Sequence, residues 1–431
     1  MTRNNKAQPP HEPTPPTDRR PVADEGFAKL IRLVGWPYVV ASALARLPQS
    51  MLTIGALTYV AAGASDFTTP GAVAAIAGVG VGIGAPIMGT ASDRWGQRIV
   101  LLLSTVAYVA ALGGLLWAGS PRDGLVQLDP TLIGSALLAG MVVPQVGPMA
   151  RVRWIRRLTG PNDRATIDLA LGYESTVDEL SYVFGPALVG IVASAAGAPV
   201  PLVIAGVLAM IAVPAFVADR SSGAGAAVAH QAGAGVSGPV RTAWGFMAIA
   251  VAGMLGVGAV FGSLATTMTV FADESGHPGT GGLLYAAMGI TSGLGALSVS
   301  RWPARWSAAA RWLLCAVIAV PATGLLLLPN DPWQMALGLL LVGAPIGPIL
   351  VTIFAAAGQR TPPARLGFAM TLLSASITLG TSAGNLLGGT VADASGHRAA
   401  LGVTIGAAVL LLACGAIFAR YAKWERLRAS A

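Results

Sequence analysis

The chain has 431 residues, of which 54% are hydrophobic and only 11% charged, where a soluble domain carries about 25% charged residues. So few charges cannot coat a water-facing surface of this size. Apolar stretches of about 20 residues, each long enough to cross roughly 30 Å of hydrocarbon, recur along the sequence. A soluble globular protein is excluded, as is a β-barrel, which would show alternating segments of about ten residues. The fold class is all-α integral membrane.

Residues 1–35 form a Pro- and charge-rich tail that reads as disordered. The first apolar segment is too long and too far along the chain for a signal peptide. Spans are predicted near 36–62, 71–90, 99–119, 130–150, 166–195 and 200–218, which form a first bundle over 36–218. A Gly/Ala/Ser-rich linker, 219–241, follows. A second bundle over 242–418 holds spans near 242–271, 280–300, 312–328, 333–356, 366–391 and 400–418, and 419–431 is a short tail. The expectation is twelve transmembrane helices in two pseudo-symmetric six-helix bundles.

The formal net charge of +8 is a topology signal and gives no reason to expect nucleic acid. With the N-terminus inside, all but three of the 27 Lys and Arg fall on the cytoplasmic side. They include Arg151, Arg153, Arg156, Arg157 and Arg164 in one loop and Arg301, Arg305 and Arg311 in another. Arg122 and Arg398 fall outside, and Arg46 lies within a span. This is the positive-inside distribution, with both termini cytoplasmic in a multi-pass protein of the plasma membrane. All ten Trp fall at or beyond predicted span ends and read as an interfacial belt. Cys315 and Cys414 sit in apolar spans as small hydrophobes. The four His (11, 230, 277, 397) lie in tails or loops, so no intramembrane metal site and no cofactor is expected.

The halves repeat at an offset of about 200 residues. Gly147-Pro148 at the end of span 4 is matched by Gly347-Pro348 in span 10. Ser181-x-x-x-Gly185-Pro186-x-x-Val189-Gly190 in span 5 is echoed by Gly380-x-x-x-Gly384-Asn385-x-x-Gly388-Gly389 in span 11. Parallel halves with a site at their interface are a transporter architecture.

The loop between spans 2 and 3 reads Gly89-x-x-x-Asp93-Arg94-x-Gly96-x-Arg98. Its glycines permit a tight turn, and its Asp can cap a helix or pair with Arg. This decapeptide resembles the signature loop of the major facilitator superfamily of secondary transporters. The resemblance implies a latch between the halves, in which Asp93 meets basic groups or the N-terminus of helix 11 near Arg365. Gln97 replaces a residue that is usually basic, and the matching loop of the second half, Ser300-Arg301-Trp302-Pro303, lacks the Asp. Gly172-x8-Ser181-x3-Gly185-Pro186-x2-Val189-Gly190 resembles the antiporter motif of the drug:proton exporters in that family, with Ser181 and Val189 in place of Gly. The plainer reading of the motif is small-residue helix packing. The further pattern Glu174-x-x-x-Asp178-Glu179 looks like one group of actinobacterial members.

Those three carboxylates lie about 12 to 20 Å into span 5 at 1.5 Å per residue. Charge at that depth is a functional hypothesis by default. Glu174 and Asp178, four residues apart, share a face, and Glu179 points about 100° away, toward Tyr182 and Pro186. Arg46 lies about 15 Å into span 1. Two readings stand: Arg46 pairs with Asp178 or Glu179 in a proton-coupling site, or it is a static or snorkelling charge. Asn385 is either a helix–helix hydrogen bond or a substrate contact. Exporters of this type carry an Arg within helix 4, and span 4 has none before residue 151.

The expected function is alternating-access transport without a cofactor, driven by the proton gradient. It is read as efflux of a small lipophilic compound or drug by a monomer in the bilayer, through a cavity of helices 1, 4, 7 and 10 lined mostly by apolar residues. Import or uniport of a metabolite by the same fold is the alternative. A membrane-embedded enzyme is disfavoured because no His lies in a span to act as base. ATP-driven pumping is disfavoured because no P-loop occurs, and a sensor because the tails are short.

Overall fold

The computed structural model describes residues 30–63, 68–120, 126, 128–158, 164–218, 244–276, 281–303 and 305–430, nearly all of them helical. Residues 1–29 of the predicted tail and the linker 219–241 lie outside the described residues.

Span 1 is divided into α1 (Trp36–Leu44) and α2 (Leu47–Ala61), interrupted at Ala45 and Arg46. Pro37 and Pro48 fall in the first turn of each piece, where a missing N–H leaves no helical bond unmade. Span 2 is α3 (Thr68–Trp95) and span 3 is α4 (Gln97–Ala118). Span 4 is divided into α5 (Pro130–Val142) and α6 (Val146–Arg157). The interruption comes where Val143 precedes Pro144, a position biased against helix, and Val143 takes ψ 130°. Spans 5 to 9 are α7 (Arg164–Ala196), α8 (Val200–Ala218), α9 (Trp244–Glu274), α10 (Gly281–Ser298) and α11 (Ala308–Leu325). Span 10 is α12 (Pro332–Arg360), which runs through Pro345 and Pro348 as one helix. Spans 11 and 12 form α13 (Leu366–Ser430), broken at Gly396 by a left-handed φ of 77°.

Among the described residues eleven helical segments are long and apolar enough to cross a membrane. The divided span 1, whose pieces have 9 and 15 residues, is the twelfth. The chain is thus an all-α integral membrane protein with twelve spans in two bundles. The repeat extends to the helix starts, since Asp129-Pro130 and Asp331-Pro332 open spans 4 and 10 alike. Asp129 accepts from the Leu132 amide and Asp331 from the Gln334 amide. Leu52, Leu112, Leu115, Leu132 and Leu202 centre one buried core; Met254, Trp312, Leu339, Phe354 and Leu411 centre another.

Several boundaries differ from expectation. Residues 30–34 of the supposed disordered tail are helical and Leu30 is buried, because it packs with Tyr38 and Trp154. The C-terminal tail continues span 12 as helix to Ser430. His397 is helical at the start of span 12, beyond the Gly396 break. Arg151, Arg153, Arg156 and Arg157, expected in a loop, belong to α6, and Arg311 belongs to α11. Arg151, Arg153 and Arg311 are buried. Trp154 and Trp312 are also buried, so the interfacial belt expected of all ten Trp fails at these two. In each case the chain buries a polar head by giving it a partner: Arg153 donates to Gln97 and to the Phe216 carbonyl, each at 2.9 Å, and the Trp312 indole donates to the Leu411 carbonyl.

Candidate functional site

The interruption of span 1 sets Arg46 at the junction of α1 and α2, facing span 5. Its Nε donates to Asp178 Oδ1 at 2.6 Å, its Nη2 to Glu174 Oε2, and its Nη1 to the Ser42 carbonyl at 2.7 Å. The helical spacing of Glu174 and Asp178 makes this fork possible, since carboxylates four residues apart project side by side. The expected partners were Asp178 or Glu179; those observed are Asp178 and Glu174. Glu179 lies in α7, with its side chain outside the described residues.

A second arginine completes the network. Arg151 Nη2 donates to Asp178 Oδ2 at 2.6 Å, and its guanidinium lies 4.1 Å from the centre of the Phe354 ring in span 10. Sequence reasoning ended span 4 at residue 150 and so missed it, concluding that the span has no arginine. The signal was the pair Arg151 and Trp154, three residues apart on one helical face. Trp154 Nε1 donates to Glu174 Oε1 at 2.6 Å. Glu174 is fully buried, whereas the Asp178 side chain keeps 25% of its exposure. Glycine at 147 leaves room for the pair, because a Cβ there would lie 2.9 Å from Asp178 Oδ1 and 3.4 Å from Arg46 Nε.

Asp178 borders a small recess of about 30 Å³, room for a water or two, lined by Arg46, Gln49 and Ser50 of span 1 and Gly147 and Pro148 of span 4. Ser181 and Tyr182 of span 5 and Ser374 of span 11 complete it. The residues of this lining are mostly polar and include one from span 11.

Contacts between the halves begin at the face that carries Arg156, Arg157, Arg301 and Arg305, here termed the basic face, and run inward along spans 2 and 11 and spans 5 and 8. Asp93 accepts from the backbone N–H groups of Gly367 and Phe368, both at 2.9 Å, at the start of span 11. Arg156 donates to Asp93 at 3.1 Å and to the Pro363 carbonyl at 3.2 Å. Gly89 lies so close that a Cβ would sit 2.6 Å from the Gly367 carbonyl oxygen, and Gly96 turns the chain between α3 and α4 with φ 88°. Arg94 and Arg98 are exposed. Arg311 donates to Asp168 at 2.9 Å with both side chains buried, joining span 9 to span 5. Thr176 donates to the Gly293 carbonyl at 3.3 Å, joining span 5 to span 8.

The span 5 motif divides by position. Gly172 packs on the Ala296 carbonyl of the other half, and Gly185 packs on Ser50 of its own half. Ser181 is buried and donates to the Val177 carbonyl at 2.7 Å. Gly190 is exposed, and Pro186 lies in the helix with its side chain outside the described residues. Asn385 is exposed and accepts from Thr266 at 3.1 Å, a link from span 11 to span 7. Among the described residues no group of His, Cys, Asp and Glu is placed to hold a metal ion.

Comparison with known proteins agrees with this geometry. The Major Facilitator Superfamily profile matches residues 38–330 and 278–429. No curated protein matches the sequence. The human organic anion transporter MFSD10 (TETRAN) has a similar structure, with TM-score 0.66 and 15% identity over 88% of this chain and 99% of that one. A bacterial homologue of the iron transporter ferroportin, in an outward-facing state, has TM-score 0.65 and 13% identity over 89% of this chain and 98% of that one. At such identities the likeness is one of fold. Together with a profile that spans both bundles, it identifies the chain as a member of the major facilitator superfamily, a multi-pass transporter of a small molecule and not an enzyme.

Proposed function

We propose that the protein is a proton-coupled antiporter that exports a small lipophilic compound or drug bearing a polar group. It works as a monomer in the plasma membrane with both termini cytoplasmic, as in the actinobacterial drug:proton exporters that its span 5 resembles. The proton gradient drives it and no cofactor takes part. The observation that carries the reading is Asp178: a carboxylate shared by two arginines, on the edge of a recess between the halves. Charge so placed is costly unless paired, and a group whose pairing changes with its proton is what coupling requires. The basic-face contacts support a state closed on the cytoplasmic side, with Asp93 as latch. Of the span 5 motif residues Gly172, Ser181, Gly185, Pro186 and Gly190, it is Gly172 whose close packing on Ala296 supports a seal between the halves.

The polar lining of the recess favours one second reading: uniport or import of a polar metabolite, with the ion pairs structural. One protein of similar structure, MFSD10, is an organic anion transporter, which accords with a polar ligand.

Purified protein in proteoliposomes under an imposed pH gradient, with a panel of lipophilic dyes, separates the two. Asp178→Asn is expected to abolish gradient-driven movement while the protein stays folded and inserted, and Glu179→Gln run beside it tests the neighbouring acid. Full gradient-driven movement in Asp178→Asn refutes the antiport reading; movement that ignores the gradient in the wild type favours uniport.

A further inference from the structure

The two arginines of the network are not equivalent. Arg46 is held by two carboxylates and by the Ser42 carbonyl. Arg151 is 1% exposed and hydrogen-bonds Asp178 through Nη2, while its Nε and Nη1 have no hydrogen-bond partner among the described residues. One face of its guanidinium rests on Phe354, which belongs to the other half. Glu174, one turn away, is engaged by Arg46 and by the Trp154 indole.

We propose that Arg151 is the positioning residue that transmits the charge of Asp178 to the contact between the halves. The proposal deepens the proton-coupled reading above and rests on it in taking Asp178 as the group that changes charge. When Asp178 is ionised, Arg151 is neutralised from its own half and lies flat on Phe354 of span 10. When Asp178 takes a proton, Arg46 retains Glu174, but Arg151 loses the carboxylate it is hydrogen-bonded to and keeps only the through-space attraction of Glu174, which Arg46 and Trp154 already engage, so it is left a buried cation without a hydrogen-bonded partner. An unpaired buried charge is far more costly than a paired one. A state in which Arg151 leaves Phe354 and reaches water is then favoured, so the basic face opens. The charged and titratable groups around Asp178 are Arg46 from span 1, Arg151 from span 4, and Glu174, Tyr173 and Tyr182 from its own helix. Span 11 contributes the neutral Ser374 and span 10 the neutral Phe354. Glu174 and Asp178 therefore divide the labour: the deeper acid fixes Arg46, and the more exposed one switches Arg151.

The test reads conformation and not transport. Spin labels at two exposed basic-face positions, Arg157→Cys in the first half and Arg305→Cys in the second, report opening as a longer distance in lipid nanodiscs. Asp178→Asn stands in for the protonated acid and is expected to raise the open population on the order of tenfold. Adding Arg151→Gln removes the stranded cation and is expected to bring the population back to within about twofold of wild type, a strong non-additivity. Phe354→Leu is expected to blunt the effect of Asp178→Asn. If Asp178→Asn opens the face equally with and without Arg151, or opens it not at all, the proposal is wrong. Because these variants are compared at one pH without substrate, they decide the Arg151 linkage even if the proteoliposome assay finds no proton coupling.

Discussion

Charged side chains that composition and hydropathy assign to loops decide most of the chemistry at the scale of single residues. Arg151, Arg153 and Arg311 sit at the basic ends of spans, where positive-inside counting expects them, yet each is buried against a partner. On the opposite face Glu274, at the end of span 7, meets the His397 ring and accepts from the His397 backbone N–H at 3.2 Å. The hydrogen bond from His397 holds the Glu274 carboxyl below the usual carboxylate range. A carboxyl lowered by folding stabilises the folded state above its unfolded pKa of about 4.3, and that stabilisation fades as pH falls through the lower folded value. Thermal unfolding in detergent should therefore show Glu274→Gln less stable than wild type at neutral pH, the two curves converging as the pH drops below about 4. The difference is small, because Glu274 is exposed. A difference that persists undiminished in acid would assign it to packing.

Helix ends govern the next scale. Asp93 caps span 11 with two hydrogen bonds that cross from one half to the other, so it acts both as an N-cap and as a clasp. The matching loop of the second half has lost its acid, and the Asp168–Arg311 pair joins the start of span 5 to the start of span 9 by a different chemistry. The two clasps differ in strength on physical grounds. Asp93 combines a cap, worth about 1 kcal/mol, with an ion pair to the partly exposed Arg156, whereas Asp168 and Arg311 are both buried, and breaking such a pair from one side costs about 3–5 kcal/mol. Labelling of a basic-face cysteine should accordingly rise several-fold in Asp93→Asn and by more than tenfold in Arg311→Gln, with partial rescue by the charge exchange Asp168→Arg with Arg311→Asp. Equal labelling in both single variants would deny the buried pair its larger share. The motif in the span 2–3 loop made the first clasp legible. The second was hidden, because neither Asp168 nor Arg311 stands in a recognisable pattern and only packing brings residues 143 positions apart together.

At the scale of the whole molecule, the repeat places spans 2 and 11 and spans 5 and 8 in exchanged positions across one interface. The contacts at Asp93, Gly89 and Asp168 close that interface at the basic face, and those at Gly172 and Thr176 continue it inward to the depth of Glu174. Alternating access requires them to part. A disulfide between Thr176→Cys and Gly293→Cys, introduced across the contact of spans 5 and 8, should halt transport and release it on reduction. Transport that continues through the crosslinked protein would mean that this contact does not open during the cycle.

The number of spans, the split into halves and the loop around Asp93 follow from the sequence by itself, because each depends on local composition: apolar length, basic flanks, and glycines at a turn. The shared face of Glu174 and Asp178 was legible for the same reason, since a helix fixes what lies four residues apart. The choice of partner belonged to the tertiary structure. Arg46 takes Glu174 and Asp178 because a break at Ala45–Arg46 turns it toward span 5. Arg151 joins them because span 4 resumes as helix after Pro144 instead of ending there. Both outcomes depend on how interrupted helices pack against a third one. Hydropathy, which averages over a window, cannot resolve a single buried charge whose cost is removed by a neighbour distant in sequence.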